Sequence, residues 1–172
     1  MSFGTLLVLR LLHIVLGVFW VGAVVFIGFF LIPSIRATGA AGGAVMQRLT
    51  SRQMPFWLMG ASILNVLSGF GLYWHDSAGF SSSAWLASGP GRTFGLGAVL
   101  ALVAIVIGMA VNSRAAKQLG DLAARLQAAG RPPSPDEAVT MQRLQDRLAK
   151  GAVLAAILLL LATAAMAAAR YT

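Results

Sequence analysis

Leu11–Ile35 reads LLHIVLGVFWVGAVVFIGFFLIPSI, and along its whole length the only titratable side chain is the imidazole of His13. A run of this kind crosses a hydrocarbon core of about 30 Å, which takes about 20 residues at 1.5 Å rise per residue. Three further stretches have the same character. Gln53–Trp74, Thr93–Ser113 and Gly151–Ala169 contain no charged residue. A backbone in lipid must satisfy its polar groups within the segment, so each stretch is expected as a helix, and the ten-residue alternation of a membrane β-barrel is absent. The first run is too long for a signal peptide, no basic cluster precedes it and no small-residue cleavage pattern follows, so it is expected to remain as a span.

The composition agrees. Of 172 residues 58% are hydrophobic and 10% charged, with a mean hydropathy of +0.81, against about 25% charged residues in ordinary soluble domains. The expectation is an all-α integral membrane four-helix bundle forming one domain over 1–172, with spans near 5–35, 54–75, 92–113 and 150–170. The chain contains no cysteine, which excludes disulfides, thiolate metal sites and thioether-linked heme.

The net charge of +8 is unevenly distributed. Arg36, Arg48, Arg52, Arg114, Lys117, Arg125, Arg131, Arg143, Arg147 and Lys150 fall in the segments on one side of the expected spans. Arg10, Arg92 and Arg170 fall on the other. The positive-inside rule then puts both termini and the 76–91 loop outside the cytoplasm of a bacterial-type inner membrane. Nucleic acid is not an expected partner, because the basic segments carry neither interleaved aromatics nor a binding motif. The expected partners are the lipid bilayer and a second copy or a larger membrane complex.

The segment between the third and fourth spans reads as structured. Leu119, Leu122 and Leu126 continue the third helix, Gly130 and Pro132-Pro133 stop it, and Ser134-Pro135-Asp136-Glu137 has the form of a capping box. Met141, Leu144 and Leu148 then lead into the fourth span. This pattern predicts a cytoplasmic helical hairpin over 114–149 with a leucine seam. A short interfacial helix is expected between Arg36 and Met54, and Gly91/Gly95 with Ala104/Gly108 offer small-residue positions for close helix approach.

Polar groups within spans are few. On the first helix Arg10, His13 and Gly17 follow one another at single-turn spacing, with Trp20 further along the same face. On the second, Asn65, Ser68 and His75 form a polar stripe that is expected to face the bundle interior. Glycine beside a histidine leaves a flat space in which a heme could lie, with His13 as axial ligand, Arg10 pairing a propionate, and Gly17 and Trp20 lining the site. His75 is a candidate second ligand, although it lies roughly 10 Å shallower by helix rise. A histidine that only bonds a neighbouring helix, and copper held with Met54, Met59, Met109 or Met166, are the alternatives. No carboxylate lies within a span, which argues against ion-coupled transport.

Leu11-Leu12-His13-Ile14 with Trp20 and Gly22 resembles the opening helix of the copper-resistance D-type membrane proteins and the HemJ-type protoporphyrinogen oxidases. The resemblance implies a four-helix bundle whose first-helix histidine binds b-type heme, a role that carries over to His13. HemJ-type proteins pair that histidine with a lysine in a later helix. The third span here has no lysine, so the oxidase activity does not carry over. Heme-linked electron transfer and a non-enzymatic accessory role in a membrane complex are the two functions left to weigh.

Overall fold

The computed structural model describes residues 1–172, apart from the side chain of Ala40. Among the described residues the chain is helical without strands. Four helices are long and apolar enough to cross a membrane: α1 (Phe3–Thr38), α3 (Met54–Asp76), α5 (Gly89–Ala128) and α6 (Pro135–Tyr171). Two short helices connect them, α2 (Ala40–Ser51) after α1 and α4 (Ser83–Ala87) before α5.

Local chemistry accounts for the helix ends. Ser2 caps α1 through a hydrogen bond from the Thr5 N–H, Ser88 caps α5 through Gly91, and Pro90 sits in its first turn. α5 ends at Ala128, followed by Gly130 at φ +60, the left-handed conformation that glycine adopts without strain. The capping box is present as expected. Glu137 N–H donates to the Ser134 hydroxyl at 3.3 Å, and the Glu137 carboxylate accepts from the Ser134 N–H at 2.8 Å. Arg131 adds a two-pronged pair to the same carboxylate, at 2.7 and 2.8 Å. Arg131 and the capping bonds hold the Glu137 carboxyl down at about 2, and the carboxylate in turn raises the Arg131 guanidinium.

α5 and α6 both run past their apolar stretches and pack there through Leu126, which is buried, and through half-buried Leu119, Leu122, Met141, Leu144 and Leu148. An Arg36–Asp146 ion pair joins the end of α1 to the charged part of α6, so these basic segments share one end of the molecule. At the other end the Thr93 and Thr172 hydroxyls lie 3.3 Å apart.

Two π-helical departures from regular α-helix were not legible in the sequence. Ile27–Leu31 and Ile107–Asn112 are π-helical turns. Pro33 offers no N–H and crowds the preceding turn, which a wider π turn relieves. In the second case the Ser113 hydroxyl donates to the Gly108 carbonyl at 3.0 Å, a carbonyl in the widened turn. Both turns meet α6 at adjacent residues: Gly28 packs on the Ala152 backbone, and the Asn112 side chain lies over Gly151.

α6 forms the packing hub. Its buried residues are Gly151, Ala152, Ala155, Ala156, Leu159, Ala162 and Ala169. Against them lie Trp20 of α1, Ala61 of α3, and Ala101 and Ala104 of α5. Gly97 of α5 approaches the Ala162 carbonyl and Met166. The sequence pointed to Gly91, Gly95, Ala104 and Gly108 for close approach, and of these Ala104 is buried in that core. Gly91 packs against Trp85 of α4, Gly95 sits by the Tyr73 hydroxyl, and nothing lies within 4 Å of a Cβ built on Gly108. The apolar residues facing outward, such as Val18, Phe30, Leu67 and Val106, are those expected of a lipid-facing surface.

Candidate functional site

The polar centre lies where α1 crosses α3. On α1 the inward face is Leu9, His13, Leu16, Gly17 and Trp20, while Arg10 stands exposed and makes no ion pair among the described residues. On α3 the inward face includes Ser62, Asn65 and Ser68, all buried. The expected polar stripe therefore does face the interior over these residues.

The two helices are joined by a reciprocal pair of hydrogen bonds. The His13 ring donates through Nδ1 to the backbone carbonyl of Asn65 at 2.9 Å, because a carbonyl only accepts. In return the Asn65 side-chain amide donates to the His13 backbone carbonyl at 2.6 Å. Each polar side chain is accommodated by a glycine on the opposite helix. A Cβ at Gly17 would lie 3.0 Å from Asn65 Nδ2, and one at Gly69 would lie 2.6 Å from His13 Cε1. The sequence repeats the device, polar residue then glycine four later, as His13/Gly17 and Asn65/Gly69. Antiparallel helices bring each polar residue opposite the other's glycine. The Ser68 hydroxyl lies 2.9 Å from the Asn65 carbonyl and 2.8 Å from that of Leu64, so it is satisfied within its own helix.

This arrangement corrects one sequence expectation and keeps the axial offset already expected for His75. The space beside Gly17 is filled by the Asn65 side chain, so the flat gap expected there for a macrocycle is closed. His75 is not brought to His13. It lies six residues beyond Gly69, a rise of about 9 Å, and its Nδ1 is 3.2 Å from its neighbour Asp76. Trp20 belongs to the alanine-lined core, one or two turns inward from the clasp. Among the described residues no group of three or more His, Cys, Asp or Glu could hold a metal ion.

No family model, curated protein or solved structure matches this chain. What the site can do must therefore be read from its own chemistry. Gly69 is the residue the sequence reading missed. Its signal was its position four residues after Asn65, the same offset that singled out Gly17 after His13.

The bond to Asn65 has a consequence for His13. With Nδ1 carrying the proton, Nε2 of the neutral ring holds a lone pair, and among the described residues Nε2 makes no hydrogen bond. A ring oriented by an Nδ1–H···O=C bond is the arrangement that metal-ligating histidines use to present Nε2. The arrangement thus leaves one imidazole nitrogen of His13, Nε2, without a hydrogen-bond partner among the described residues. No second histidine is hydrogen-bonded at this position: the His75 Nδ1 lies 3.2 Å from Asp76.

Proposed function

We propose that this chain is a multi-pass protein of a bacterial-type cytoplasmic membrane, with its basic end and the 114–149 hairpin in the cytoplasm and both termini outside. In this reading it holds a b-type heme through His13 in its outer half and takes part in electron transfer. The observation that carries the heme reading is the Nδ1–H bond from His13 to the Asn65 carbonyl, which leaves Nε2 as the only unpaired basic nitrogen on the inward face of α1. The first-helix resemblance supports the same residue. A bound heme would supply one-electron transfer. The chain's part is to hold the imidazole in one tautomer, with Asn65 as the orienting partner and Gly69 as the surface against which the ring rests. Arg10, exposed at the outer level of α1, remains the candidate partner for a propionate.

A second reading, a non-enzymatic packing or assembly subunit, is favoured by one specific observation. Glycines on both facing helices are matched to His13 and Asn65, as they would be if the clasp existed only to join α1 to α3. Titrating the purified protein with hemin separates the two. The heme reading expects a Soret band and a reduced α band that His13→Ala removes. Asn65→Ala keeps its backbone carbonyl and should keep the band. His75→Ala should leave the spin state unchanged, since that residue is about 9 Å too far along α3. A protein that stays colourless with hemin leaves the packing role in place.

A further inference from the structure

At the opposite end of α1 from His13, a groove of about 670 Å³ opens between α1, α2 and the start of α3. Its walls include Phe19, Ala23, Phe26, Leu49 and Trp57, and its one charged lining residue is Arg52. A second groove of about 410 Å³ shares Val45, Leu49 and Arg52 and adds Arg48. The two arginines are one turn apart, the Arg52 N–H donating to the Arg48 carbonyl at 3.1 Å.

Among the described residues neither arginine makes an ion pair. The chain has no acidic residue before Asp76, which ends α3 at the other face of the bundle. Asp146, which reaches this end, is taken by Arg36. Two cations thus line an open apolar slot, with no carboxylate among the described residues paired to either. That pairing of chemistries, a long apolar channel beside an anion site, matches one kind of molecule present throughout a membrane. We propose that the groove binds an anionic glycerophospholipid, with an acyl chain against Phe19, Phe26 and Trp57 and the phosphate between Arg48 and Arg52. The bound lipid would fasten amphipathic α2 to the bundle. This rests on the arginines and the groove alone, and it stands or falls independently of heme at His13.

The test is native mass spectrometry of the full-length protein released from micelles holding equal amounts of phosphatidylglycerol and phosphatidylcholine. Phosphatidylglycerol should be retained in preference by about thirtyfold, the combined attraction of two basic side chains for an anionic headgroup. The double variant Arg48→Gln/Arg52→Gln should lose the preference, Arg48→Lys/Arg52→Lys should keep most of it, and Arg114→Gln/Lys117→Gln should not change it. Val45→Trp, which fills the slot and spares both arginines, should lower retention of both lipids. Equal retention of the two lipids by the wild-type protein overturns the proposal. So does undiminished preference in the glutamine variant, or a second copy of the chain bound in place of lipid. Helical content measured on each variant distinguishes a lost site from a lost fold.

Discussion

The α1–α3 crossing and the α5–α6 seam bring helices together in lipid by opposite means. At the first, hydrogen bonds between His13 and Asn65 run in both directions, and glycines admit the polar side chains. At the second, Ala101 and Ala104 meet Ala155, Leu159 and Ala162, and contact is dispersion between small residues. In water the hydrophobic effect would favour both. In a bilayer lipid tails are as apolar as leucine, so close packing and polar pairing must do what burial does elsewhere. The seam is therefore vulnerable to added volume and the clasp to lost polarity.

That contrast can be broken first on the buried face of α6. Ala156 is fully buried, and Ala156→Leu should destabilise the bundle by about 1–3 kcal/mol or more through overpacking. Leu154→Ala, on the exposed side of the same helix, should have little effect. Unfolding in mixed micelles would measure both, and equal effects would remove the case for α6 as the hub. The adjoining Gly151 should behave like Ala156. Its Cα lies under the Asn112 side chain, whose oxygen is buried without a hydrogen-bond partner, so Gly151→Ala must displace that amide.

The clasp should respond less, and with coupling. Asn65→Ala removes one interhelical bond, worth about 0.6–1.7 kcal/mol in a membrane. Gly69→Ala drives a methyl into the His13 ring, and much of its cost should vanish in the His13→Ala background, where the ring is gone. A double-mutant cycle returning additive effects would mean that Gly69 does not seat the imidazole.

The smallest effect should come from the turn between α5 and α6. Folding holds the Glu137 carboxyl at about 2, below its ordinary 4.5. A depressed carboxyl contributes stability above pH 4.5, and that contribution is lost as pH falls through about 2. Amide exchange in the first turn of α6 should quicken over that window and become insensitive to it in Glu137→Gln, while amides around Asn65 stay protected.

Features governed by near neighbours could be read directly. Mean hydropathy over a window marks the four spans, and the stop at Gly130 and the start at Ser134 each depend on a handful of adjacent residues. The inward stripe of Asn65 and Ser68 followed from helical spacing alone. The residues that meet across helices were decided only by tertiary packing. Gly17 looked like open space until Asn65 was seen to fill it, and only the structure shows that Gly69, about 9 Å along α3 from His75, is the residue that faces His13. The register of α1 on α3 depends on glycines in segments far apart in the chain, Gly17 on α1 and Gly69 on α3, while the π turns starting at Ile27 and Ile107 act where α1 and α5 meet α6. Spacing along one helix determines which residues share a face, while the partner across the gap is chosen by how closely two backbones can approach.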